Sequence, residues 1–288
     1  MRIELSLAAL LLPVLLFAQE NVKVKGRIIN EQGEAVEYVQ IGVPKRQIGT
    51  IATADGRFEI EVPCDTLEFF HVSYQPASYA VTGPCDDVVI VLHEQELPPA
   101  VFIGGDTKEK YLVRPGTHVL NNLGIISISL QSEHPSGREL GSVARARKPF
   151  LVKDILLSVR SNQIPGCVAS INIYRIEGKK ESFVNMLHKP IYFDVAVADH
   201  PQDFDIQPDE PILLEPGRYF VAFQIVGYDE EARQAYLLAK PVEERKYGEM
   251  TIDFNIYLKS SYLREAALGK MEHYPVNIGI AVKGLEYQ

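Results

Sequence analysis

The sequence predicts an all-β protein made of two successive β-sandwiches. Three observations carry that reading. Short runs with alternating or continuous apolar character recur along the chain, separated by polar clusters bearing Gly, Pro, Asn or Asp. Only one stretch, REAALGKME at 264–272, has helical composition, and Gly269 interrupts it. The paired prolines Pro98 and Pro99 divide a first set of short runs from a second set of longer ones. The expected organisation is a leader over 1–18, a small sandwich over 22–96 and a larger sandwich or jelly roll over 97–288.

The leader comes first. Arg2, an apolar run from Leu5 to Phe17 and Ala18 form the pattern of a signal peptide, with the mature chain expected to begin at Gln19 or Glu20. The run falls short of the roughly 20 residues that span a bilayer, and Pro13 interrupts it, which disfavours a retained anchor. No cysteine stands at the cleavage point, which disfavours a lipoprotein. The expected location is therefore the periplasm or the outer-membrane surface. No later apolar stretch reaches span length. The 29 Lys and Arg against 38 Asp and Glu give a net charge of −9, and no basic cluster offers a nucleic-acid footprint. The one basic run, Arg138 to Lys148, reads as a solvated strand face.

From Val22 the runs VKVKGRII, AVEYVQIGV, QIGTIAT, RFEIEV, TLEFFHVSY, SYAVTG and DVVIVL predict seven strands. The stretch TADGRFEIEVP reads as a hairpin turn at Asp55-Gly56 leading into a strand with Phe58, Ile60 and Val62 on one face. Asp55 and Gly56 are thus structural turn residues. Cys64 and Cys85 sit in similar settings, VPCD and GPCD, and export permits a bridge between them. Such a bridge would close a loop of about 20 residues, worth about 3 kcal/mol, but sequence leaves the pairing open. Cys167 reads as a buried strand residue.

These residues resemble the carboxypeptidase-regulatory-like domain, a transthyretin-like sandwich. The resemblance rests on Val24 and Gly26, Asn30 and Gly33, Val39, Gly49-Thr50, Thr53, and Asp55-Gly56 before Phe58. Ala54 directly before Asp55 shortens the family's usual turn. The exit VIVLHEQELPPAVFIG is also similar to that of modules preceding another exported domain, so the likeness covers residues 22–103. It implies the fold of a small seven-stranded transthyretin-like sandwich, attached in other proteins to peptidases or outer-membrane receptors.

Neither attachment is expected here. His93-Glu94-Gln95-Glu96 satisfies the H-x-x-E spacing of a zinc carboxypeptidase, but it ends a strand and runs into the prolines. The seven histidines (His71, His93, His118, His134, His188, His200 and His273) are scattered. The acidic stretch Asp199 to Asp205 lacks an EF-hand glycine pattern and reads as a solvated loop. The chain beyond residue 97 is too short for a receptor barrel.

The second set of runs is GIISISLQS, LVKDILLSVRSN, CVASINIYRI, PIYFDVAVA, GRYFVAFQIVGY, MTIDFNIYLKS and VNIGIAVKG. Glu139 and Gly141, Asn172-Ile173-Tyr174, and Pro216-Gly217 before Tyr219 are similar to a group of exported two-domain Gram-negative proteins with an uncharacterised C-terminal sandwich. That likeness implies fold and export but no activity. The expected function is non-enzymatic, with no cofactor and no metal: an envelope protein that binds a partner protein through loops at the sandwich ends. The alternative is a carbohydrate-binding protein presenting Tyr192, Tyr219 and Tyr228 as a glycan platform.

Overall fold

A computed structural model describes residues 21–96, 104–114, 124–132 and 137–288. The leader 1–18, the Pro98-Pro99 boundary, His118 and His134 lie outside the described residues. The described chain is all-β, 55% strand and 6% helix.

The first seven strands are β1 (Val22–Asn30), β2 (Gln40–Val43), β3 (Ile48–Ile51), β4 (Arg57–Val62), β5 (Thr66–Phe70), β6 (Ala77–Ala80) and β7 (Cys85–Leu92). They form two sheets, ordered β4-β1-β7 and β3-β2-β5-β6. Period-two alternation places Phe58, Ile60 and Val62 inside, against Ile28, Ile41, Leu67 and Phe69. The outward partners pair across strands: Lys23 and Lys25 reach Glu59 at 2.6 and 2.8 Å. β1 runs antiparallel to β4 and parallel to β7, so it separates them.

That order corrects the disulfide expectation. Cys64 and Cys85 are not bridged: Cys64 follows β4, Cys85 opens β7, and β1 lies between these strands. Two strand spacings come to about 9.5 Å, beyond the roughly 7 Å limit for Cα atoms in a disulfide.

The second set comprises β8 (Thr107–Val113), β9 (Ile125–Ser129), β10 (Glu139–Ala146), β11 (Phe150–Val159), β12 (Ser161–Asn162), β13 (Cys167–Glu177), β14 (Ser182–Asn185) and β15 (Ile191–Val195). It continues through β16 (Gln202–Ile206), β17 (Ile212–Leu214), β18 (Gly217–Gly227), α1 (Glu230–Ala239), β19 (Thr251–Asn255), β20 (Ser261–Arg264), β21 (Met271–Tyr274) and β22 (Ala281–Tyr287). A seven-stranded sheet runs β14-β13-β18-β10-β20-β21, with β15 also on β13. A five-stranded sheet around β11 and β22 and the short sheet β12-β19-β9 form the facing layer. The core between them takes alternate residues of the central strands, Tyr219, Val221, Phe223 and Ile225 from β18 and Cys167, Ala169, Ile171 and Ile173 from β13. Burial pushes the Cys167 thiol up to about 12.

The other face of β18 and β13 is buried as well, which is why YFVAFQIV reads as continuous apolar sequence. Phe220, Ala222 and Tyr174 pack there with Tyr262. The sheet curls enough to bring Phe183 of β14 edge-on to Tyr262 of β20, ring centroids 4.9 Å apart. Glu181 ties the seam, accepting from Arg218 at 2.8 Å and from the Tyr262 hydroxyl at 2.9 Å.

The basic residues of the run 138–148 do face solvent, with Arg145, Arg147 and Lys148 exposed and Arg138 half-buried. But β10 itself lies inside the seven-stranded sheet, and Glu139, Leu140, Ser142, Ala144 and Ala146 between them are buried. REAALGKME, whose helical composition Gly269 interrupts, runs from the end of β20 through the connection into β21 and forms no helix. Ala266 and Ala267 are buried, and Leu268 adopts φ 58°.

Candidate functional site

Asp55 and Gly56 lie in a tight turn in which the Gly56 amide donates to the Thr53 carbonyl at 2.9 Å. Gly56 has φ +74°, and a Cβ there would stand 2.5 Å from the Ile28 carbonyl oxygen. The Asp55 carboxylate accepts from the Thr53 hydroxyl at 2.5 Å and pairs with Arg57 at 3.0 Å. Those contacts, the Thr53 hydroxyl first, hold it below the usual carboxylate range. His93 pairs with Glu31 at 2.8 Å. Among the described residues, no group of three or more His, Cys, Asp or Glu side chains is placed to hold a metal ion.

The three candidate tyrosines share no platform. Tyr219 is wholly inside the core and donates to the Glu215 carbonyl at 2.6 Å. Tyr192 is half-buried beneath the first sandwich, edge-on to Tyr38 at 5.0 Å, with its hydroxyl 3.3 Å from His71 Nε2. Tyr228 is half-buried under the Arg233 guanidinium, 5.8 Å from its ring centre. Burial pushes the Tyr228 hydroxyl up to about 12.

Tyr192 belongs to a polar interface between the sandwiches. The Ser73 hydroxyl donates to the His188 carbonyl at 3.0 Å, and Gln40 Nε2 donates to Gln224 Oε1 at 3.2 Å. From Gln224 the network runs into the curled sheet. Asn172 Nδ2 contacts both Gln224 Oε1, at 3.3 Å, and Glu139 Oε1, at 3.1 Å; the Tyr174 hydroxyl donates to Glu139 Oε1 at 2.7 Å. Arg264 Nη1 stands 3.4 Å from the other Glu139 oxygen. Glu139 is completely buried, and desolvation raises its carboxyl above the ordinary value, opposed by Arg264, Tyr174 and Asn172. This is an enclosed structural network.

The exposed counterpart is the excursion between β18 and β19. Asp229 caps α1 by accepting from the Ala232 amide at 2.9 Å, and Glu230 and Glu231 complement the positive end of the helix. Arg233, 1% exposed, turns inward and donates to the carbonyls of Leu130, at 3.1 Å, and Ser132. Arg245 Nη1 donates to the Gln131 carbonyl at 2.6 Å. Glu249 accepts from the Tyr236 hydroxyl at 3.0 Å, the Lys246 amide at 3.1 Å and the Lys240 ammonium. The Lys240 contact leads in holding its carboxyl down to about 2. On this frame Leu238, Val242 and Tyr247 stand 86%, 69% and 71% exposed. The Tyr247 hydroxyl is nevertheless anchored, 2.8 Å from Ser127 Oγ, which in turn donates to Asp253 at 2.5 Å.

The sequence reading passed over this excursion. Its signals are present: an N-cap Asp229, two glutamates in the first turn, the good helix formers of EEARQAYLLA, and Pro241 just beyond the end.

No protein-family model and no curated protein matches the chain. Among solved structures, it is similar to a DUF3823 family protein from Parabacteroides merdae, 10% identical, with 90% of this chain and 98% of that chain covered and a TM-score of 0.21. It is also similar to a DUF3823 family protein from Bacteroides ovatus, 11% identical, covering 72% and 98% with a TM-score of 0.21. A structure of infectious bursal disease virus, Gt strain, is 8% identical, covering 93% and 59% with a TM-score of 0.28. TM-scores this low carry no argument about this chain, whose all-β assignment rests on its own strands.

Proposed function

We propose that this protein is a non-enzymatic, exported factor of the cell envelope that binds a partner protein through the β18–β19 excursion. The observation that carries the reading is the trio Leu238, Val242 and Tyr247, held in water on a frame stitched by Arg233, Arg245 and Glu249. Single exposed apolar residues are ordinary, but large ones gathered on one buttressed excursion suit a contact surface. Glu231, Glu243 and Glu244 are exposed beside them, so the fitting partner has an apolar centre and a basic rim. The small sandwich, read as a carboxypeptidase-regulatory-like module, acts as a platform docked on the larger one rather than as a swinging spacer. Export rests on the pattern of Arg2, the apolar run and Ala18. The glycan alternative through Tyr192, Tyr219 and Tyr228 has no shared aromatic face to use.

The test places a photo-crosslinking residue at Leu238 of the full chain in native envelopes. One discrete protein adduct is expected, abolished by Val242→Glu, with none from the same residue placed at Ser78 on exposed β6. N-terminal sequencing of that preparation should begin at Gln19 or Glu20. No adduct, an adduct that survives Val242→Glu, or equal adducts at both positions would overturn the reading.

A further inference from the structure

A cleft of about 230 Å³ lies where β3 of the first sandwich meets β9 and the end of β18. Its apolar wall includes Ile51 and Val226, and the hydroxyl residues Thr50, Ser129 and Ser132 face it from two elements. Tyr228, one of the three candidate tyrosines, also lines it. The remaining wall holds Arg138 and Glu265 as an ion pair, Nη2 donating to Oε1 at 3.2 Å and Nε standing 3.1 Å from Oε2 without a hydrogen bond to it. Arg138 Nη1 donates in addition to the Ser127 carbonyl at 3.3 Å.

We propose that this cleft binds a neutral, polyhydroxylated ring the size of one sugar unit. Charge decides the class. The paired guanidinium and carboxylate are neutral as a unit, so an anion would have to displace Glu265 and a cation would have to displace Arg138. A neutral hydroxyl accepts from one partner and donates to the other while they stay paired. The exposed Ser129 hydroxyl likewise donates and accepts, and Ile51 and Val226 suit the C–H face of a ring. Size limits it further. At about 230 Å³ the cleft falls below the roughly 300–1,000 Å³ of drug-sized pockets. The wall is also pre-set, because Arg233 holds the Leu130 and Ser132 carbonyls from behind. The cleft shares Ser127 and the Arg233 contacts with the frame of the excursion, but the sugar reading does not rest on the partner contact proposed there.

Saturation-transfer NMR on the full mature chain tests this with glucose, galactose, mannose and N-acetylglucosamine as probes, and glucuronate and glucosamine as charged comparisons. Ring protons of at least one neutral probe should receive saturation. Ser129→Trp, from an exposed position, and Arg138→Met should each weaken binding about tenfold, the loss expected for one good polar contact or an obstructed site. Amide shifts of Thr50, Ser129 and Arg138 in the unaltered chain give the same answer without a variant. No transfer to any neutral probe, stronger transfer to a charged one, or shifts confined elsewhere would overturn the proposal.

Discussion

His71 sits at the junction of the sandwiches, where burial lowers its imidazole to about 4. An unfolded histidine titrates near 6.5, so the folded protein holds fewer protons between those values. Its contribution is therefore present above pH 6.5 and is lost as pH falls toward 4, on the order of 3 kcal/mol. Urea unfolding at pH 7 and pH 4.5 should show a smaller acid loss in His71→Gln than in the parent; equal losses would exclude His71 as the source. Glu139 illustrates what single residues hide. In sequence it follows Arg138 at the start of the basic run and reads as part of a solvated stretch. Its actual partners, Asn172, Tyr174 and Arg264, arrive from strands far along the chain. Burial of an ion pair is a tertiary fact that no local pattern encodes.

At the scale of elements, helical composition does not by itself make a helix. REAALGKME contains good helix formers, but its ends belong to paired strands and its alanines are covered by the first sandwich, so pairing and burial override propensity. EEARQAYLLA carries helix formers too and keeps its helix because Asp229 caps it and Arg233 locks it to two carbonyls. Arg233→Met removes those donors and should speed hydrogen exchange across 230–249 while the central strands stay protected, a local loss of about 1–3 kcal/mol. Unchanged exchange would mean that Arg245 and Glu249 suffice. The seven runs of the first sandwich, by contrast, were legible because each is short, amphipathic and bounded by turn residues.

For the whole molecule, the deciding feature is how the sandwiches meet. Gly42 and Gly49 pair across β2 and β3, and the β20–β21 connection closes on them. A Cβ on Gly49 would stand 2.2 Å from the Ala267 carbonyl oxygen, and the Lys270 amide donates to Gln47 Oε1 at 2.9 Å beside it. Gly49→Val should therefore lower Tm and expose the Lys270 amide to exchange, with about 1–3 kcal/mol lost to overpacking. An unchanged Tm would show that this contact contributes nothing to holding the sandwiches together.

The sequence alone determined the all-β class, the seven strands of the first sandwich and the Asp55-Gly56 turn. These come from period-two alternation and from a glycine backbone, both local properties. Only the tertiary structure decided that Cys64 and Cys85 stay unbridged, that the three tyrosines part company and that Glu139 is buried. It alone joined Arg138 to Glu265 beside a cleft and set Leu238, Val242 and Tyr247 in solvent. Each of those depends on which strands become neighbours, and strand order is fixed by burial of the whole chain rather than by the pattern within any one run.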